Sequence, residues 1–308
     1  MKAVIIANEK SFWKLCKKSV LEELVEKLGK ENFEEIYVYP ARYKKYLKKA
    51  NIKFLRSLND IKGKAFVIKG NVFIKSLRLE GDVFKGNDGE VIAYIGRPSK
   101  NFKEKGKVKK IDGFRIKNEE DLKKAEKKLI DELGPSGLVS KYINKKISSG
   151  LASMISKTYI TPLQLYITSF LISLLAFIFY IPAKYIFTAF AGICIFVSSI
   201  IEETGNKIAY MEGGKEKIAI NIFSDFVIIL GATYLAWSNS SNIYAWIFGF
   251  LLAMGITFIE FIAAPSPVGR DFFMFAIFIG SIFNQIFITL AILTIIINAE
   301  AIKRVLGK

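Results

Sequence analysis

Acidic residues in the segment 197–230 are the side chains of this chain best placed to do chemistry. The segment lies between long apolar runs and holds Glu202 and Glu203 together, with Asp225 set inside a second apolar stretch. A carboxylate at that depth in a bilayer is costly, so an intramembrane acid indicates a functional site. Asn221 precedes Asp225 by four residues, which places both side chains on one face of a helix. Two acids at the end of the preceding helix oppose its macrodipole and favour a bound cation.

The charge of the chain is divided unevenly between its two halves. The net charge is +17, yet residues 160–308 hold eight basic and eight acidic side chains, so the whole excess lies in residues 1–159. A basic half next to an apolar half favours attraction to anionic lipid or to phosphorylated ligands. No nucleic-acid-binding motif is present, so we expect no nucleic-acid partner.

Composition also restricts the chemistry. The chain has no histidine, which excludes metal sites, catalytic triads and general bases that use it. Cys16 and Cys194 fall in different halves, so no disulfide framework is expected. Heavy use of Lys, Glu and Ile with only two glutamines is typical of thermophile proteins.

Short β-branched runs alternate with helical patterns in residues 1–133. Apolar residues recur at helical spacing over residues 11–29, and Asn118 is a candidate N-cap for a second helix. The segment 81–96 carries a hairpin signal around its Asn-Asp-Gly turn. Three further runs predict strands, at residues 2–7, 34–40 and 65–74, the last with a Gly-Asn turn at Gly70-Asn71. The order predicts an α/β cytoplasmic domain with a mostly parallel sheet.

Residues 134–160 predict a connector at the membrane surface. Gly134 and Pro135 end the preceding helix. Residues 138–156 then carry apolar side chains at helical spacing, with Lys141, Lys145 and Lys146 on the other face. Such a basic amphipathic helix is suited to lying in the membrane interface.

Apolar stretches fill the rest of the chain. About 20 residues cross a bilayer, and Asn284-Gln285 predicts a turn inside the last stretch. With the last of the five stretches divided in two, the sequence predicts an all-α polytopic domain with six transmembrane helices over residues 161–308. Basic residues cluster in the loops of one side and in the tail, so the N-terminal domain and the C-terminus are predicted to be cytoplasmic. The stretches run over residues 161–181, 183–202, 217–237, 242–262 and 271–300.

The segments SKYINKKIS and KTYITPLQL resemble the sequence before the first membrane helix of CDP-alcohol phosphotransferases. Thr161-Pro162 matches the first two residues of that family's Thr-Pro-Asn, and the last two helices are also similar. The resemblance is closest to archaeal members fused to an N-terminal cytidylyltransferase-like domain, and it covers nearly the whole chain. It implies a role in phospholipid biosynthesis, a CDP-alcohol or lipid as partner, and a homodimer.

The family motif is Asp-x-x-Asp-Gly-x-x-Ala-Arg, followed after a loop by Gly-x-x-x-Asp-x-x-x-Asp. The resemblance places Glu202 on the first aspartate, Asn221 on the third and Asp225 on the fourth. It implies that these residues hold a divalent metal, magnesium or manganese, on the CDP pyrophosphate. It further implies that Asp225 is the general base on the acceptor hydroxyl.

Other positions depart from the motif or carry a supporting role. Gly205 stands where the motif has its second aspartate, and Tyr210 where it has arginine. Lys207 and Lys217 flank the acids and are predicted to bind substrate. Arg270 begins the fifth membrane helix on the same side, where it would bind a phosphate or anchor the topology.

The soluble half resembles nucleotidyltransferases of the sugar- and polyol-phosphate type in its order of elements. That family has a glycine-rich loop ending in arginine after its first strand, whose backbone amides cradle the triphosphate. Here the loop reads Asn8-Glu9-Lys10-Ser11, and Asn71 stands where an acidic metal ligand is expected. These departures favour an N-terminal domain that keeps the fold of the nucleotidyltransferases and has lost their activity.

The sequence leaves three hypotheses open. The first is an enzyme that moves a phosphoalcohol from a CDP-alcohol to an acceptor alcohol, releasing CMP, with a divalent metal. The second is a non-catalytic protein of the same fold that binds lipid or nucleotide and needs no metal. The third is a transporter-like protein with Asp225 and Glu260 lining a path, although the outer halves of the spans are almost devoid of polar residues. Convergence of Glu202, Asn221 and Asp225 within one coordination sphere would favour the first.

Overall fold

The chain folds into two compact units, Met1–Leu129 and Ile130–Lys308. The structure is a computed structural model. It describes residues 1–31, 33–47, 52–77, 79–102, 106–132, 139, 145–212, 218–262 and 268–306.

The first unit combines strands with two α-helices, α1 (Val20–Gly29) and α2 (Glu119–Glu132). Ser19 caps α1 in a reciprocal arrangement with Glu22, and Asn118 Oδ1 accepts a hydrogen bond from the amide of Asp121 at 2.8 Å, which confirms Asn118 as the cap of α2. The strands are β1 (Ala3–Ile6), β2 (Lys14–Leu15), β3 (Lys18–Ser19), β4 (Ile36–Tyr39), β5 (Ile52–Phe54), β6 (Ala65–Lys69), β7 (Val72–Ile74), β8 (Val83–Lys85), β9 (Val91–Gly96), β10 (Val108–Lys110) and β11 (Gly113–Arg115).

Seven of these strands form one sheet in the order β10-β8-β9-β6-β1-β4-β5. The central strand β1 pairs in parallel with both β4 and β6, and its residues Ala3, Val4 and Ile5 are fully buried. The hairpin expected around the Asn-Asp-Gly turn is present and makes β9 antiparallel to β6 and β8. The sheet is therefore mixed, and four of its six strand pairings among the described residues are parallel, in agreement with the mostly parallel sheet that the sequence predicted.

One local prediction for this unit was wrong. The segment predicted as one helix over residues 11–29 begins as a 3-10 turn, Glu9–Phe12, and a short β2–β3 hairpin, because the Asn8 and Ser11 side chains close the turn on each other's amides. The turn predicted at Gly70-Asn71 within residues 65–74 is confirmed, and it divides the segment into two strands. Its second part, β7, pairs with β11 in a separate two-stranded sheet.

The second unit is helical. Helices α8 and α9 are separated at Phe283–Gln285, where Asn284 has a φ of 54°, so the turn predicted at Asn284-Gln285 is confirmed. α4 packs against α5 and α6, α8 against α5 and α9, and α7 against α6 and α9. The helices are α3 (Lys145–Ile155), α4 (Pro162–Tyr180), α5 (Tyr185–Met211), α6 (Ile218–Ser240), α7 (Tyr244–Ile262), α8 (Arg270–Ile282) and α9 (Ile286–Leu306).

Four of these helices are long and apolar enough to cross a membrane by length and composition: α4, α5, most of α6, and α9. α7 contributes a shorter apolar stretch, Tyr244–Ile259. Large apolar side chains such as Phe250 and Ile295 point outward, while residues such as Tyr180 and Phe273 fill the interior. This distribution is typical of a helical bundle whose surroundings are as apolar as its core.

The helix α3 lies in the region predicted to be a basic amphipathic connector. Its buried face consists of small side chains, Ser148 and Ala152, whereas Ile147 and Met154 are exposed. The face that packs on α5 is thus small and polar, and the large apolar side chains face outward. Lys141 lies outside the described residues.

Candidate functional site

Helices α5, α6 and α8 bring the sequence-predicted acids to one place. Glu202 lies on α5, Asp225 on α6 and Arg270 in the first turn of α8, and each side chain is less than a tenth exposed. The sequence placed Glu202 at the end of its helix. In the structure α5 continues more than two further turns, to Met211. Glu202 therefore does not meet the end of a helix macrodipole, and a side chain balances its charge.

The guanidinium of Arg270 is the group on which the acids converge. Nη1 pairs with Glu202 Oε1, and Nε donates to Asp225 Oδ1 at 2.6 Å. Nη2 donates to the main-chain carbonyl of Asn221 at 3.3 Å. One planar cation thus binds three oxygens from two helices, a geometry for which arginine is suited because its donors form a rigid fork.

The same oxygens are those that the resemblance assigns to a divalent metal. Glu202 and Asp225 do converge, but each gives one carboxylate oxygen to Arg270, and Asn221 takes part through its backbone and not through its side-chain amide. Among the described residues, no group of three or more His, Cys, Asp or Glu side chains is arranged to hold a metal. As folded here, the residues do not fit a divalent metal, because the guanidinium fills the space between the carboxylates.

Glu203 and Lys207 form a second buried ion pair beside the first. Lys207 Nζ lies 3.0 Å from Glu203 Oε1, one helical turn away on α5. Lys207 also donates to Ser148 Oγ at 2.5 Å and to Ser149 Oγ at 3.0 Å, and Ser148 Oγ donates to Glu203 at 3.0 Å. The three protons of the ammonium group therefore have three acceptors, and the pair joins α5 to α3.

Gly205 is closely covered by helix α4. A Cβ at Gly205 would lie 3.0 Å from Tyr166 Cε1 and 3.3 Å from Leu165 Cβ. Next to it, the Tyr166 hydroxyl donates to Asn206 Oδ1 at 2.8 Å. A side chain as large as the aspartate of the resembled motif would crowd the Tyr166 ring, so packing explains the glycine.

A layer of hydroxyl groups lies next to the charged cluster. Ser169 and Ser198 exchange hydrogen bonds between α4 and α5, with oxygens 2.8 Å apart. Ser173 Oγ lies 2.9 Å from Ser198 Oγ and 2.6 Å from Ser224 Oγ, which joins α6 to the same network. Each of these four serine hydroxyls has a partner, as close packing of apolar helices favours.

The remaining predicted residues lie apart from these contacts or cannot be placed. Lys217 falls outside the described residues, and the side chain of Glu260 does too. Tyr210 is exposed on the last turn of α5. The substrate-binding roles given to Lys207, Lys217 and Arg270 stay predictions.

The first unit holds a basic cleft of about 570 Å³ at the edge of its sheet. Parallel strands β1, β4 and β6 end at this edge, and the open side of such an edge is where α/β sheets bind ligands. The side chains lining the cleft carry four positive charges and one negative charge. They include Asn8, Glu9, Lys10, Arg42, Tyr43, Asn71, Arg115 and Lys117.

Polar contacts fix part of this cleft. Asn71 is buried and donates from Nδ2 to the carbonyl of Ile116 at 2.7 Å, while its Oδ1 has no hydrogen-bond partner among the described residues. A hydrogen bond from Lys117 lowers the pKa of Glu90. Burial, and then the charge of Arg115, lowers the pKa of the nearby Lys69 ammonium. Cations are thus crowded at this edge, which favours a bound anion.

Sequence reasoning missed the cleft cations and the contact between α3 and α5. Arg42 and Arg115 are far apart along the chain, and the fold alone brings them together. Ser148 and Ala152 carried a usable signal, since small residues four apart mark a close helix–helix contact. The pairing of Arg270 with two acids left no sequence signal beyond the scarcity of charges in the apolar half.

Comparisons with protein-family models and with curated proteins find no match for this chain.

Proposed function

We propose that this chain is a multi-pass membrane protein with the architecture of CDP-alcohol phosphotransferases that binds a phosphate ester without transferring it. The observation that carries the proposal is the guanidinium of Arg270, which is bound to both Glu202 and Asp225 inside the helical unit. A carboxylate held by a buried guanidinium is a weak proton acceptor and a poor metal ligand. These are the two roles on which transfer would depend.

The positions of the helix ends support an architecture of six membrane-spanning helices. Arg270 at the start of α8 meets Asp225 near the start of α6, so both starts lie at one end of the unit. α6 leaves that end, and α7 must return to it before α8 begins. With the basic loops on that end, the positive-inside rule places the N-terminal unit and the C-terminus in the cytoplasm.

The basic cleft of the first unit supports the binding role. Its volume suits a small organic ligand. Arg42, Arg115 and Lys117 offer charge-assisted donors of the kind that recognise phosphate. A nucleoside monophosphate or an alcohol phosphate matches this chemistry, and both are fragments of a CDP-alcohol.

An assay of CMP release tests the absence of transfer. Purified full-length protein in lipid nanodiscs is given a panel of CDP-alcohols and acceptor alcohols with Mg²⁺ or Mn²⁺, and CMP is measured by chromatography. We expect no release above that of empty nanodiscs, while an active phosphotransferase assayed in parallel shows turnover. Metal-dependent release that Asp225→Asn abolishes would contradict the proposal.

Calorimetry with CMP and with an alcohol phosphate tests the binding role. We expect binding by the full-length protein that weakens as NaCl is raised, because exposed cations are screened. Arg42→Gln should weaken it about tenfold, the effect of losing one charge-assisted hydrogen bond of ~1.4 kcal/mol. Lys62→Gln, at an exposed position that does not line the cleft, is the matched control. Equal affinities for both variants would place the ligand elsewhere.

A further inference from the structure

A basic and aromatic surface lies on the first unit, where two 3-10 turns pack together. The turns Glu9–Phe12 and Ala41–Tyr46 follow the parallel strands β1 and β4, so both lie at the same edge of the sheet. The ring centroid of Phe12 lies 4.7 Å from that of Tyr43 and 5.1 Å from that of Tyr46, which joins the two turns. The basic cleft is lined by other side chains. We call the outward side of this contact the basic-aromatic surface, and its side chains are Trp13, Lys14, Lys44, Lys45 and Tyr46.

This surface carries an excess of positive charge. Residues 10–21 hold four basic side chains and residues 36–59 hold seven, and neither segment has an acidic residue. Glu9, which precedes the first segment, lines the basic cleft. The three lysines of the surface are exposed, and within the described part of the chain they make no ion pair. Their ammonium groups are therefore available to an anionic partner.

An exposed aromatic ring lies among these cations. Tyr46 is 55% exposed, the largest exposed fraction of any large apolar side chain that the structure describes in the first unit. Lys45 Nζ lies over the Tyr46 ring, 4.9 Å from its centroid. An amphipathic ring beside ammonium groups suits the boundary between lipid headgroups and water, where tyrosine and tryptophan are enriched. A nucleic-acid base would need an open ring face for stacking, and Lys45 covers one face of this ring.

We infer that the first unit docks on an anionic lipid surface through the basic-aromatic surface. Tyr46 enters the headgroup region, and Lys14, Lys44 and Lys45 bind lipid phosphates. The chain joins this unit to apolar helices, which keeps lipid at a high effective concentration around it. The inference rests on the proposed function only in that the helical unit lies in a bilayer. It goes beyond a general attraction of the basic half to lipid, because it assigns the contact to one face of the unit.

Amide exchange of the full-length protein in two kinds of nanodisc tests the inference. One kind contains phosphatidylcholine alone, and the other contains phosphatidylglycerol as well. Residues 41–47 should exchange more slowly in the anionic nanodiscs, and the ratio of the two rates measures docking. High NaCl should remove the difference, because salt screens exposed charges. Both faces of a nanodisc have the same lipids, so the result does not depend on the topology of the helices.

Variants separate this surface from the total charge of the unit. Lys44→Gln combined with Lys45→Gln should lower the docking equilibrium about thirtyfold, since each lysine near an anionic surface contributes about fivefold. Lys62→Gln combined with Lys64→Gln is the matched control, because it removes the same charge at two other exposed positions. It should leave the ratio unchanged. Tyr46→Ser keeps the charge and should also weaken docking, because the ring no longer enters the headgroup region.

Three outcomes would overturn the inference. The first is equal exchange of residues 41–47 in the two kinds of nanodisc. The second is an equal loss of protection in the two double-lysine variants, which would mean that only the total charge matters. The third is protection by an added oligonucleotide in neutral nanodiscs and none by anionic lipid, which would assign the surface to nucleic acid. CMP release or a failure to bind CMP would refute the proposed function and would leave the docking result unchanged.

Discussion

At the scale of single residues, the acids buried in the described part of the helical unit are paired with cations. Glu202 and Asp225 share Arg270, and Glu203 pairs with Lys207. A buried charge without a partner is expensive in an apolar surrounding, whereas a paired and hydrogen-bonded one is tolerated. The charges that first indicated catalysis therefore also have a structural role, because their ion pairs and hydrogen bonds join α3, α5, α6 and α8.

Removing one acid should show how much of the fold depends on this pairing. Glu202→Gln takes one carboxylate from Arg270 and should lower the free energy of unfolding by about 3 kcal/mol, because the guanidinium stays buried with fewer partners. The measurement is the thermal midpoint of the detergent-solubilised protein, followed by tryptophan fluorescence. Glu300→Gln is the matched control, since it breaks an i,i+4 pair with Arg304 within one helix and should cost only about 0.3–0.5 kcal/mol. Equal midpoints for the two variants would show that Arg270 does not depend on Glu202.

At the scale of elements, helix α5 organises the second unit. It carries Glu202 toward α6 and α8, Glu203 toward α3, and Gly205 against α4. Adjacent positions on a helix point about 100° apart, so consecutive residues reach different neighbours. The adjacent residues Glu202 and Glu203 therefore contact different helices on two sides of α5.

The Lys207 contacts should be what holds α3 on α5. Lys207→Met removes the ion pair with Glu203 and two hydrogen bonds to serines while keeping the length of the side chain. Hydrogen bonds to a charged group contribute about 1.5–3 kcal/mol. Amide exchange over residues 145–156 should therefore rise at least about tenfold.

Lys146→Gln is the control for this change, because Lys146 is exposed on the same helix. It should leave the exchange of α3 unchanged. Slow exchange in both variants would mean that α3 is held by the packing of Ala152 and not by the Lys207 contacts.

The elements show what the sequence could predict. Helix spacing, the Asn118 cap and the turn at Asn284-Gln285 depend on neighbours in sequence, and these predictions were confirmed. The end of α5 and the division of residues 11–29 were wrong. The helix α5 continues to Met211, and the side chains of Asn8 and Ser11 close a local turn where the helical spacing had predicted the start of α1. In the candidate site, the sequence predicted the acids from their depth in an apolar segment. It could not predict Arg270 as their shared partner, because that contact depends on the packing of α8 against α5 and α6.

At the scale of the whole molecule, the two units divide the charge of the chain between them. The excess of basic residues lies before residue 160, and residues 160–308 hold equal numbers of basic and acidic side chains. A basic unit joined to an apolar helical unit is attracted to the anionic face of a bilayer. Sequence alone is sufficient to find this division of charge, because it depends on composition and not on contacts. The side of the membrane that each loop faces stays a prediction from it.

Labelling of single cysteines should decide how many helices cross the membrane. In a background with Cys16 and Cys194 replaced by alanine, Ile243→Cys reports the turn after α6 and Val268→Cys the loop between α7 and α8. Six crossings put Ile243 outside and Val268 inside, whereas four crossings by the longest helices leave both outside. With six crossings, a membrane-impermeant maleimide added to intact cells should label Ile243→Cys and should not label Val268→Cys. Val305→Cys, near the end of α9, is the control for an inside position. Six crossings and four crossings both return the chain to the side of the membrane on which the N-terminal unit lies. Labelling of Val268→Cys in intact cells would show that α7 and α8 do not cross. Arg270 would then lie at the outer side and Asp225 near the inner start of α6, so the contact between them could not form.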